Sequence, residues 1–121
     1  MSVPSPSRLL AALSRDVLLG DGANGTLLQA KGFDNTPYDL ANLLAPELVR
    51  DGHSQYFAAG ADFVETNTFA ANALRLGHSG FDVRELNLSG ARLAREAAGE
   101  IGLVLGAIGP CGKPLQPIGS I

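Results

Sequence analysis

Short apolar runs punctuate the chain, and none of them alternates with polar residues. Val17-Leu18-Leu19, the segment Asp62-Phe63-Val64-Glu65-Thr66 and the segment Leu103-Val104-Leu105-Gly106-Ala107-Ile108 are each closed by glycine or polar side chains. A strand with one solvated face would alternate, so these runs predict strands buried on both faces. Their starts lie about 40 to 46 residues apart, room for a helix and loops in each interval. That rhythm predicts parallel strands joined by right-handed crossovers.

The intervals carry helical periodicity. Pro46 suits a first helical position, and Leu48, Val49, Gly52, Tyr56 and Ala59 then line one face before Gly60. A second helix is predicted from about Asp82 to Ala98, with Val83, Leu86, Gly90, Leu93, Ala94 and Ala97 at steps of three and four and Gly99 as its end. Arg92 and Glu96 form an exposed pair on it, in the weaker orientation. Ser7 to Ser14 can form a short helix, and the stretch from Leu27 to Ala45, with Gly32, Asn35 and Pro37, is expected to be a covering loop. Two segments result: an N-terminal extension, 1–16, and an α/β unit, 17–121, with about three strand–helix units. An open sheet of three strands has two bare edges, so truncation is the simplest account, and association of the isolated piece is expected.

Composition narrows the picture. The chain has 121 residues, roughly half of the ~250 that a (β/α)8 barrel needs. Its net charge is −3, with acids and bases scattered, so no basic patch points to nucleic acid. No apolar run approaches the ~20 residues of a membrane span, and no signal peptide is evident. The lone Cys111 excludes an internal disulfide, fits a reducing cytoplasm and cannot build a thiolate zinc site.

Chemistry concentrates where the strands end. Gly20-Asp21-Gly22-Ala23-Asn24-Gly25 matches the dinucleotide fingerprint G-x-G-x-x-G. However, Asp21 would repel a pyrophosphate, and Asp39, at the spacing of the ribose-binding acid, follows no strand pattern. Alternatively, Asp21 accepts hydrogen bonds from a substrate ammonium group while the flanking glycines let backbone N–H groups approach a carboxylate. In the blander alternative it merely caps a short helix beginning near Gly25. Glu65-Thr66-Asn67-Thr68-Phe69 continues an apolar strand with polar groups, which are costly to bury unsatisfied. Either they face a barrel mouth, or the threonines satisfy backbone groups and Asn67 caps the next helix. Cys111 reads as a semi-buried loop thiol, and His53 and His78 as solvent-facing side chains.

These segments together resemble the homocysteine S-methyltransferase family. Leu19-Gly20-Asp21-Gly22-Ala23-Asn24-Gly25-Thr26 is similar to its opening D-G-(G/A)-x-G-T segment. Gly60-Ala61-Asp62-Phe63-Val64-Glu65-Thr66-Asn67-Thr68-Phe69 is similar to its second-strand G-A-D-x-(I/V)-E-T-N-T-F segment, and Leu105-Gly106-Ala107-Ile108-Gly109-Pro110 to its third strand and G-P turn. Pro46-Glu47-Leu48-Val49 and Tyr56-Phe57-Ala58-Ala59-Gly60 fit in order and spacing, so the likeness runs from about Val17 onward. Within the family the chain resembles the homocysteine-binding modules of methionine synthases and of bifunctional enzymes that add methylenetetrahydrofolate reductase.

The resemblance implies the N-terminal part of a (β/α)8 TIM barrel, whose zinc-bound homocysteine thiolate accepts a methyl group to give methionine. Folate or cobalamin enters as the candidate methyl donor. Carried over, Asp21 and Gly22 would hold the amino-acid end of homocysteine, Thr66 would line the same pocket, and Glu65 and Asn67 would support it. The family's zinc ligands are cysteines on later strands, so they are expected beyond this chain, which alone should be inactive. Where relatives have Gly-Met or Ala-Met, the chain has Ala23-Asn24, and Asn tolerates a left-handed turn. A non-catalytic amino-acid-binding remnant and a dinucleotide-binding domain remain the alternatives.

Overall fold

The computed structural model describes residues 6–119. Its elements in chain order are α1 (Pro6–Arg15), α2 (Asn24–Ala30), a single 3-10 turn (Tyr38–Leu40), α3 (Ala41–Leu44), α4 (Pro46–Ala58), β1 (Phe63–Glu65), α5 (Ala73–Leu76), α6 (Val83–Ala98) and β2 (Leu103–Leu105). β1 and β2 pair in parallel, with Phe63 opposite Leu103 and Glu65 opposite Leu105. Two parallel neighbours need a long crossover, and α6 supplies it while packing on both strands.

Local chemistry accounts for the helix limits. Pro46 opens α4, where its missing N–H has no helical partner to lose. Asp82 caps α6, its Oδ1 accepting from Arg84 N at 2.8 Å, and Gly99 (φ 61°) ends that helix in a conformation that disfavours other residues. α4 and α6 pack together, and the core runs from Leu28 and Phe33 through Leu40, Val49 and Leu76 to Leu86 and Leu93. Burial of that apolar area is the main favourable term in the fold.

Several expectations need correcting. Val17-Leu18-Leu19 is not a strand: Val17 is 97% and Leu19 62% exposed. Leu19 O accepts from Asp62 N (2.7 Å), but Leu19 N donates to the Asp62 side chain (2.8 Å), so a carboxylate takes the place of a ladder partner. β2 stops at Leu105, and Ile108 is 96% exposed rather than buried. The supposed loop from 27 to 45 holds most of α2, the 3-10 turn and α3. Leu28, Phe33, Leu40, Ala41 and Ala45 in it are core residues, and their burial drives helix formation where turn residues suggested a loop. Glu96 pairs with Arg50 across the α4–α6 interface (2.8 Å) instead of with Arg92, and the partly exposed pair adds little stability.

At the amino-terminal end of the sheet, Arg8 of α1 donates to Glu100 O (2.9 Å) and Ile101 O (2.7 Å). The carboxyl-terminal end is left to the polar segment that follows β1.

Candidate functional site

Thr66 N still donates to Leu105 O at 2.9 Å, the last rung of the parallel ladder. Beyond it, side chains replace backbone. Ala107 N donates to Thr66 Oγ1 (2.9 Å), Thr68 Oγ1 donates to Ala107 O (2.8 Å), and the two hydroxyl oxygens lie 2.6 Å apart. Both threonines are buried, and both satisfy the backbone of the neighbouring strand. The expense of burying polar groups after an apolar strand is thereby met, and the two backbones can part at this rim.

Asp21 belongs to the same end. Its Oδ2 accepts from Glu65 N at 3.1 Å, and Asn24 Nδ2 donates to Glu65 O at 3.4 Å. The glycine loop is thus stitched to the exit of β1. Asp21 does not cap α2, whose cap residue is Ala23 without a side-chain bond. Burial raises the Asp21 pKa, the Glu65 N–H opposes that, and the Glu65 carboxylate adds to it. Asn24 is the first helical residue, and no non-glycine residue among those described has positive φ, so a left-handed turn is not required there.

Asn67 caps no helix either; Asn72 performs that role for α5. The Asn67 side chain is buried and donates to Tyr38 O (2.9 Å) and Asn42 Oδ1 (3.1 Å). Asn42 was invisible as a site residue, although an amide between apolar Ala41 and Leu43 was a signal. Asp39, whose spacing suggested a ribose-binding acid, sits buried in the 3-10 turn and accepts from Ala70 N at 2.8 Å. Burial raises its pKa, with Ala70 N–H and the Arg75 charge opposing. Held in this way, and with no strand preceding it among the described residues, Asp39 is not placed as the dinucleotide fingerprint requires.

A cavity of about 710 Å³ opens at this rim. Gly22, Glu65, Thr66 and Asn67 line it, joined by Asp39 and by Arg75, the latter not singled out by the sequence. Asp21 stands behind the lining, held against Glu65. The site is rich in acceptors and of mixed charge, suited to a small zwitterion. His53 is not part of it and is not solvent-facing: it is 1% exposed in α4, and neither ring nitrogen has a partner. His78 is exposed, and Cys111 is a half-buried free thiol whose Sγ lies 3.5 Å from Lys113 O. Among the described residues no group of three or more His, Cys, Asp or Glu side chains could hold a metal ion. No helix among them is long and apolar enough to cross a membrane.

Comparison with known proteins adds an independent measure. The chain is 38% identical to methionine synthase of Mycobacterium tuberculosis over 128 aligned residues, and 36% identical to that of Mycobacterium leprae over 127. Each alignment covers 92% of the chain but 10% of the relative, so the chain spans about a tenth of those proteins. Its fold resembles the homocysteine methyltransferase MmuM from Escherichia coli in its oxidized form, with TM-score 0.75 and 30% identity, covering 86% of this chain and 41% of that one. The metallated form of MmuM gives 0.71. The family model for homocysteine S-methyltransferase matches residues 18–120, and the chain belongs to the homocysteine S-methyltransferase family.

Proposed function

We propose that the chain forms the amino-acid-binding rim of a homocysteine S-methyltransferase, within the first part of a (β/α)8 barrel. The observation that carries this reading is the hydrogen bond from Glu65 N to Asp21 Oδ2, which joins the glycine loop to the polar exit of β1. Two carboxylates and two amides meet there, at the carboxyl end of parallel strands, where barrel enzymes bind their substrates. Asp21 and Glu65 accept from the homocysteine ammonium group. The substrate carboxylate is assigned to the backbone at Gly22, which lines the cavity, and a side chain there would collide with Tyr56, since a Cβ would lie 2.9 Å from Tyr56 Oη. Thr66 and Asn67 line the pocket between them.

A zinc ion, when bound, would supply a homocysteine thiolate at neutral pH. The described side chains form no ligand set for it, so the roles assigned here are binding and orientation. Holding both charged ends of the amino acid fixes where its thiol points, and that positioning is what such a rim contributes to rate.

Asp21→Asn tests the reading. It keeps an acceptor for Glu65 N and removes the charge. In the complete protein, homocysteine affinity measured by calorimetry should fall at least about tenfold, as expected for a lost charged hydrogen bond. Unchanged affinity would remove Asp21 from the site.

A further inference from the structure

Asn42 lies in α3, 2% exposed, and does not line the cavity. Its Nδ2 donates to two backbone carbonyls, Asn67 O at 2.8 Å and Leu86 O at 3.0 Å. A carbonyl can only accept, so these partners dictate which way the amide faces. Asn42 Oδ1 is thereby turned toward Asn67, whose Nδ2 donates to it at 3.1 Å and to Tyr38 O at 2.9 Å. A third backbone carbonyl thus orients the second amide. Both hydrogens of Asn67 are committed, and what remains to it is Oδ1, an acceptor.

The threonine pair has the same polarity. The single hydroxyl hydrogen of Thr68 goes to Ala107 O, so in the Thr66–Thr68 contact Thr66 is the donor. Thr66 then has no hydrogen to offer a ligand. With the carboxylates of Glu65 and Asp21 alongside, the side chains of Glu65, Thr66 and Asn67 offer a ligand acceptors only, while the donors Asn24 and Arg75 line the same cavity outside this segment. An ammonium group, with its three N–H bonds, complements that surface, and a carboxylate is repelled by it.

We infer that Asn42 is a positioning residue, which locks Asn67 as a hydrogen-bond acceptor and so makes the strand exit selective for the ammonium end of a zwitterionic amino acid. The inference rests on the proposed homocysteine site and assigns the end of the substrate that this part of it takes.

The test measures two ligands on the complete protein: homocysteine, and its desamino analogue with hydrogen in place of the ammonium group. Asn42→Ala frees one Asn67 hydrogen and lets the amide turn. Homocysteine should bind roughly five- to tenfold more weakly, a rise in KM with little change in kcat, while the analogue changes by less than about twofold. A purely structural loss would weaken both ligands alike, and that result overturns the inference. If Asn42→Ala does not fold, Asn42→Ser, which keeps an acceptor for Asn67, should show a smaller loss confined to homocysteine; equal losses again overturn it. A parent protein that binds no homocysteine overturns the proposed function and this inference with it. Binding by the parent with both ligands unaffected by Asn42→Ala overturns the inference alone.

Discussion

His53 should make the fold sensitive to mild acid. The imidazole is 1% exposed between packed helices, neither nitrogen has a partner, and burial lowers its pKa from 6.5 to about 4. The folded chain therefore holds a neutral ring, whereas the unfolded chain takes up a proton near pH 6.5. Stability is fully present above that value and is lost as pH falls toward 4. At about 1.36 kcal/mol per pH unit, the whole interval caps the effect at about 3.4 kcal/mol, of which about 2.4 kcal/mol is realised between pH 7 and 4.5. Asp21 and Asp39 work in the opposite direction, because burial raises their pKa values and protonation on acidification favours the fold. The assay must therefore isolate the imidazole. Urea unfolding at pH 7 and 4.5, on the parent and on His53→Leu, does so, since the carboxylates are common to both. The parent should lose about 2 kcal/mol more than the variant. At pH 7 the variant should be equal or slightly more stable, because it removes an unpaired buried polar group. Identical pH dependence in the two proteins would mean that the ring is solvated or paired in solution, and the reasoning would fail.

Two further outcomes follow from helix α6. Gly90→Ala places a Cβ 2.6 Å from Thr68 Cγ2 and 2.7 Å from Asn42 Nδ2, so it should destabilise by about 1–3 kcal/mol through overpacking, read as a lower urea midpoint with unchanged slope. Asp82→Ala removes the bond to Arg84 N and should cost about 1 kcal/mol, whereas Asp82→Asn keeps most of it; equal losses in both would exclude capping as the cause.

What could be read in advance divides along a physical line. The limits of α4 and α6 were legible because Pro46, Asp82 and Gly99 act locally, and the pairing of β1 with β2 followed from their spacing. The residues meeting at the rim were also legible, because Glu65-Thr66-Asn67-Thr68 breaks an apolar strand without a turn. Properties decided by partners distant in sequence were not. Val17–Leu19 has strand composition, yet a ladder needs a neighbour's backbone, and Asp62 offers Leu19 N a carboxylate instead. Phe33 and Leu40 lay among turn residues, and only the packing that buries them gives that stretch its helices. His53 looked solvated because a histidine without acidic neighbours in sequence normally is. Its burial is decided by the tertiary packing of α4, which contacts α2, α3, α6 and β1. Asn42 was missed for the same reason, since its partners, Asn67 and Leu86, are 25 and 44 residues away.

The contrast between His53 and Asn42 bears on how the rim is held. Both are buried polar side chains reached from the helical layer, yet one has no partner and the other has three. A satisfied network in a low-dielectric interior is strengthened by its own connectivity, and removing one member leaves the others unpaired. Asn42, Asn67 and the Thr66–Thr68 pair meet at Asn67, whose backbone carbonyl and side chain both bond Asn42 and whose neighbours are the two threonines. Substitutions among them should therefore be non-additive, whereas His53 should act alone. Among the described residues the sheet has two strands, β1 and β2. Where the backbone rungs between β1 and β2 stop, the hydroxyl network goes on tying the two segments together, through Ala107 N to Thr66 Oγ1 and Thr68 Oγ1 to Ala107 O.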